Sequence, residues 1–419
     1  MVKEKEVRKS IIKWKTKAVW VGLGLLALLV RFLFALNPNL TESLYSRGIF
    51  QGIRFCLDYT VGLLPFPFLY ILTLALILFP VWKIVKRIKK GKKIEEKIPW
   101  RTRILNGLLS LAALIGIIVF LFYFLWGFNY QRLPIETRLH LKTEPLDSEA
   151  VRKEAHIAFQ IAAAVRESIP GASKTPLDSR FIPEGLEYKI RDDLKKVLKS
   201  LGYPVTGRVR ARRVQPSGLL MSLGTGGIYF PFTGEVYLPA NLSAVETPFT
   251  MAHEMAHGFG FTEEGTANFL AYLACISSKD SLTRYSGCYV YFRYISSELF
   301  RLSEDDFRSM MEKLPREIMA DMQAVSGNWA RYRGWLMDIG EQVNDIYLKS
   351  QGIKEGAKSY NRLIVLTVAY RNSRFKPALF DDLPVPPVEE PRAYFNFVPI
   401  TNFLTPLFFT MSINLTTSP

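Results

Sequence analysis

Three apolar runs, at residues 18–36, 61–82 and 104–126, are each long enough to cross a bilayer, and no other feature limits the architecture of this 419-residue chain so strongly. A spanning helix takes about 20 apolar residues, because every backbone N–H and C=O must be paired within the segment once water is gone. The first run carries Arg31 near one end, from which a long side chain reaches the interface. The second starts with Pro65 and Pro67, which delay or kink a helix for want of a backbone N–H. A cleavable leader would show a small-residue site after the first run. The sequence there is Asn-Pro-Asn-Leu-Thr, so the run is expected to persist as a span.

Charge orients these runs. Residues 1–18 carry +5 and residues 83–103 carry +8 of the formal net charge of +16. A nucleic-acid surface would carry such charge on a folded domain, whereas both clusters here abut apolar runs. Membrane orientation is therefore their expected role, and no nucleic-acid partner is expected. Both basic segments belong in the cytoplasm under the positive-inside rule, which is consistent with the two spans between them. The third span then delivers everything after about Gly127 to the far side. The reading is a multi-pass protein of the plasma or inner membrane, with a cytoplasmic N-terminus and an extracytoplasmic domain. Trp100 and Trp126 bracket the third run as interfacial anchors would.

The expected organisation is a membrane domain at 1–127, an extracytoplasmic domain at 128–380 and a Pro-rich extended apolar tail at 381–419. The run at 395–413 is broken by Pro399, Asn402 and Pro406, which argues against a fourth span. Apolar residues recur at helical spacing over 148–169, and a second helix is expected at 188–201, ended by Gly202 and Pro204. Residues 218–239 are rich in Gly, aromatic and β-branched residues, which suits short strands and turns. Helices then return through 248–258, 263–276, 284–299 and 304–313, and on to Tyr370. Cys56, Cys275 and Cys288 all fall on the outer side, where a Cys275–Cys288 bridge and buried free thiols are both compatible with the sequence.

The sharpest chemistry lies at His253-Glu-Met-Ala-His257. Thr247 and Pro248 make a good N-cap and first turn, so a helix should begin there and end at Gly258 and Gly260. His253 and His257 are then one turn apart, and both imidazoles reach a single ion. Glu254 projects beside them, where it can take a proton from a water that the metal activates. The zinc centre needs a third ligand. The chain has four histidines, and the other two, His140 and His156, lie upstream, so a carboxylate is expected. Glu263 and Glu264 both stand at the start of the next helix, which Thr262 can cap. The antiparallel return of that helix would put its first turn beside the two histidines.

The series Glu264-Gly-Thr-Ala-Asn268 resembles the ligand helix of gluzincin metallopeptidases, with Asn268 in place of the usual supporting Asp. Glu263 instead mimics metzincin spacing, with Glu in place of the last His; the resemblance favours Glu264, because a carboxylate ligand borne on a second helix is the known form of such sites. Leu220-Met-Ser-Leu, Gly227-Ile-Tyr-Phe-Pro-Phe-Thr-Gly-Glu235, the histidine motif, Ala267-Asn-Phe-Leu-Ala-Tyr-Leu-Ala274 and Lys358-Ser-Tyr-Asn-Arg362 together resemble the DUF3810 family of bacterial membrane proteins, which is assigned to zincin-like peptidases by motif. The resemblance spans about residues 15–375. Members often read Arg-Glu-Asp-Glu-Ala-Asn where this chain has Glu263-Glu-Gly-Thr-Ala-Asn268; only Glu264 stays aligned with a Glu, and Thr266 departs from the pattern.

The resemblance implies three N-terminal transmembrane helices followed by a mostly α-helical α+β zincin-like metallopeptidase domain with a small strand region. It further implies a Zn2+ cofactor, peptide or protein substrates and contact with the lipid bilayer. Tyr360 and Arg362 are the candidates for stabilising an oxyanion, and the 227–235 segment reads either as an edge strand that accepts a peptide or as an ordinary turn. The alternative function is a catalytically silent zincin-like sensor or binding module. The intact Glu254 argues against it, since a structural zinc site needs no general base.

Overall fold

The computed structural model describes residues 2–89, 99–172, 175–351 and 362–373. Three long apolar helices come first, followed by a mostly helical domain with a small three-stranded mixed sheet. The chain divides into two compact units. One comprises residues up to Leu133 together with Phe230–Gly234, and the other runs from Pro134 to Tyr229 and onward from Glu235.

In the first unit, α1 (Val2–Leu36), α2 (Phe68–Lys89) and α3 (Trp100–Leu125) contain candidate spans at Trp14–Leu36, Phe68–Lys86 and Trp100–Leu125. The second span starts seven residues later than the apolar run does. Val61–Leu63 forms a 3-10 turn, and the helix begins only beyond Pro65 and Pro67. Helices α1 and α3 lie backbone to backbone where small residues permit it: a Cβ on Gly116 would sit 2.3 Å from the Trp20 carbonyl oxygen. Trp126 is not an interfacial anchor. It is buried, with its ring edge-on to Phe122 and Tyr130.

The stretch between the first two spans is helical as well, through Pro38–Leu40, Thr41–Ile49 and Phe50–Asp58. Its polar residues are buried in pairs. Arg132 and Arg47 each hold Glu42 at 2.9 Å, and Arg54 bonds Asp58 and donates to the Gly234 carbonyl at 3.0 Å. A buried ion pair stripped of one partner is strongly destabilising, so these polar residues belong to a packed interior.

The second unit is built from α4 (Ser148–Glu167), α5 (Leu186–Ser200), β1 (Ala211–Val214), α6 (Leu219–Ser222), β2 (Ile228–Phe230), β3 (Glu235–Pro239), α7 (Thr247–Gly258), α8 (Glu264–Ile276), α9 (Ser281–Leu302), α10 (Glu304–Glu312), α11 (Arg316–Ala330), α12 (Trp335–Ser350) and α13 (Arg362–Arg371). The strand order is β1-β3-β2, with β1 parallel to β3 in the register Ala211↔Val236 to Val214↔Pro239. The 227–235 segment holds a short edge strand, β2, followed by a turn at 231–234. Helix α7 packs on β3, and α8 packs against α7 and α9. Every residue of α8 is buried, as its run of Phe269, Leu270, Ala271 and Leu273 requires.

Cys275 and Cys288 do not form a bridge. Both thiols are free and buried, and burial pushes that of Cys288 up to about 12. The expected tail at 381–419 lies outside the described residues.

Candidate metal centre

Helix α7 begins one residue earlier than its capping signal suggests. Thr247 is the first helical residue rather than the N-cap, and its hydroxyl donates back to the Ser243 carbonyl at 2.7 Å. Pro248 follows in the first turn, where a missing N–H costs nothing. From there, the helical repeat brings His253 and His257 together with their rings nearly perpendicular and their centroids 4.6 Å apart. The chain reverses through Phe259–Thr262, where Gly260 takes φ +88°, a left-handed conformation that favours glycine. Helix α8 then starts against the histidines.

Glu264 and Glu263 part company at this point. Glu263, not Thr262, caps α8: its carboxylate accepts from the Gly265 amide at 3.0 Å and from the Thr266 amide and hydroxyl at 2.6 Å each. Glu264, the first helical residue, turns to the histidines. Its Oε2 lies 3.1 Å from His253 Nε2 and 3.3 Å from His257 Nε2, and the two Nε2 atoms are 3.0 Å apart. All three side chains are buried and could hold one ion among them.

That triangle fits a metal. An ion held tetrahedrally at about 2.0–2.1 Å spaces its ligand atoms by roughly 3.3–3.4 Å, so the donors need to spread by only a few tenths of an ångström. His257 Nδ1 lies 2.7 Å from the Phe261 carbonyl oxygen. It donates there, which leaves Nε2 as the ligating nitrogen of the neutral ring. The electrostatics agree that the cluster wants a cation. Burial alone would lower the His257 pKa, but the Glu264 carboxylate, helped by Glu254, raises it to about 9. Burial would likewise raise Glu264, yet the two imidazoles hold it well below the usual carboxylate range. Without a metal, a proton on His257 does the work of the cation.

Glu254 lies beside this group and is as buried as the three ligand candidates, all four being 7–8 % exposed. Burial raises its pKa, opposed by His253 and His257 and by a hydrogen bond from the Tyr229 amide. The chain just before β2 passes directly over this carboxylate. A Cβ on Gly227 would lie 2.8 Å from Glu254 Cγ and 2.9 Å from Leu238 Cδ2, so glycine is what allows the approach.

The remaining sequence candidates are dispersed. Asn268, one turn after Glu264, donates to the Tyr294 hydroxyl at 3.0 Å. Arg362 pairs with Glu136 and stands 3.5 Å from the capping carboxylate of Glu263, so it braces the start of α8. Tyr360 lies outside the described residues. Nothing in the sequence marks Tyr229 or Tyr294 as neighbours of the site. Tyr294 comes from α9, and burial, reinforced by the charge of Glu264, pushes its phenol above the usual range. The glycine pair at 226–227, directly ahead of an aromatic strand, was the only local sign that backbone would run close to the site.

A family model described as "Protein of unknown function (DUF3810)" matches residues 45–368, well over half of the chain. The chain belongs to the DUF3810 family. The matched region of this DUF3810 protein includes the two histidines, Glu254 and Glu264. No curated protein and no solved structure matches the chain.

Proposed function

We propose that this DUF3810 protein is a membrane-anchored zinc metallopeptidase with its second unit on the extracytoplasmic side. The observation that carries the reading is the buried triangle of His253 Nε2, His257 Nε2 and Glu264 Oε2, with the separate carboxylate of Glu254 next to it. Two histidines and one glutamate form a zinc set that keeps a position open for chemistry. A second buried acid that is not a ligand has a use in proton transfer but none in a purely structural site.

His253, His257 and Glu264 would hold the ion, which when bound supplies a Lewis acid that polarises a carbonyl and acidifies water. Glu254 takes the proton of the attacking water and passes it to the leaving amine as the C–N bond breaks. Its raised pKa matches a group that must both accept and return a proton. The Tyr229 amide keeps that carboxylate in place, and the edge strand β2 offers backbone groups along which an extended peptide can lie. Asn268, with Tyr294, supports the start of α8, and Arg362 does so through Glu263.

The function is tested with the purified full-length protein in detergent and an unstructured protein such as casein as substrate. Cleavage should stop when a chelator strips the metal and return when zinc is added. Cleavage that is indifferent to the chelator would rule out the metal mechanism. The orientation rests on the basic segments at 1–18 and 83–103. An alkaline phosphatase reporter fused at Glu144 should be active, and one fused at Lys92 inactive; the reverse pattern would place the second unit in the cytoplasm.

A further inference from the structure

Helix α12 carries an apolar face that none of the described residues of the second unit covers. At 100° per residue, Trp335, Leu336, Ile339, Val343 and Ile346 fall within a single arc of about 100°. Trp335 is 69 % exposed, Ile346 67 %, Val343 59 % and Ile339 47 %. The helix cannot roll to hide them. Met337 and Leu348 are buried on its other side, and the backbone at the end of α6 presses on it so closely that a Cβ on Gly340 would meet the carbonyl oxygen of Leu223, the residue after that helix, at 2.1 Å. The polar flank holds Asp338, Glu341 and Asp345, the last paired with Lys349 at 2.6 Å.

We propose that α12 lies in the interface of the bilayer that the chain itself enters, with this arc seated at the boundary between headgroups and acyl chains. A helix with one continuous apolar face and one charged face is the form that binds such a surface, and a tryptophan in its first turn suits headgroup depth. The bilayer is also the partner that is always at hand. The third candidate span ends at Leu125, and the second unit begins at Pro134. The eight residues between them reach at most about 28 Å when fully extended, so the second unit meets lipid at a high effective concentration. The acidic flank means that apolar burial, rather than attraction to anionic headgroups, drives the contact.

One consequence rests on the peptidase reading. Gly224, which follows α6, and Gly227, which lies against Glu254, are three residues apart, about 10 Å of extended chain. Gly224 packs on Met337 of α12, so a seated α12 holds Gly227 within roughly 20 Å of the lipid surface, one helix diameter plus that stretch of chain, and the matching substrate class is a juxtamembrane segment of another membrane protein.

The test measures depth and needs no activity, so failure of the peptidase reading would leave it standing. Spin labels are attached to single cysteines at Ile339→Cys, Val343→Cys and Asp338→Cys in the full-length protein. The background is Cys56→Ser, since Cys56 is exposed whereas Cys275 and Cys288 are buried. In vesicles of phosphatidylethanolamine with a minor share of phosphatidylglycerol, the oxygen-to-nickel-chelate accessibility ratio at 339 and 343 should be several-fold above that at 338. It should fall between the ratio at 338 and that of a label at Leu114→Cys, near the middle of the third candidate span. The same result is expected in pure phosphatidylcholine. Ratios at 339 and 343 equal to that at 338 would overturn the proposal. So would labels shielded from both reagents, which would mean that another protein surface covers the arc, or insertion that requires anionic lipid.

Discussion

Glu254→Gln should lower peptide hydrolysis by about 10² to 10⁴, the usual worth of a positioned general base, while zinc content and thermal stability stay near those of the wild type. Glutamine keeps the size of the side chain and an oxygen able to accept from the Tyr229 amide, so the packing under Gly227 is preserved. It removes only the capacity to accept a proton. The variant therefore separates the enzyme from a sensor that uses the same metal. Hydrolysis at the wild-type rate would show that Glu254 is not the base. A ligand bound equally by both forms, with no cleavage by either, would turn the reading toward a binding module.

The residues most easily read from the sequence are those whose geometry is local. His253 and His257 share a face because a helix repeats every 3.6 residues, and Glu264 follows from the glycine turn and the start of the next helix. Contacts made across the fold were not legible. The Asn268 amide donates to the Tyr294 hydroxyl, 26 residues along the chain. The bond between Glu254 and the Tyr229 amide joins residues that no periodicity relates.

In the first unit, apolar length marks all three candidate spans, but the prolines at 65 and 67 move the start of the second to Phe68. The helices over 38–58 were hidden because their polar residues, Glu42, Arg54 and Asp58, are buried by pairing. Sequence polarity alone suggests a solvated loop there. The exposed stripe on α12 was hidden for the opposite reason. An amphipathic helix looks the same in sequence whether its apolar side faces a core or faces outward.

The ligand set allows a second large effect. The metal must displace the proton that Glu264 helps His257 to hold, and His257 has its pKa raised to about 9. Below that value the ring is protonated and competes with the ion. Apparent zinc affinity should therefore rise by about tenfold per pH unit as pH climbs toward 9, with one proton released per ion bound. His253→Ala and Glu264→Ala each delete one of three donors and should lose the metal. Glu263→Ala should keep it, at a cost of about 1 kcal/mol from the lost helix cap.

The most direct measurement is elemental analysis of the purified full-length protein and these three variants, prepared side by side. One zinc per chain is predicted in the wild type and in Glu263→Ala, and almost none in His253→Ala and Glu264→Ala. A wild type without stoichiometric metal, or a Glu264→Ala variant that retains as much zinc as Glu263→Ala, would contradict the proposed centre.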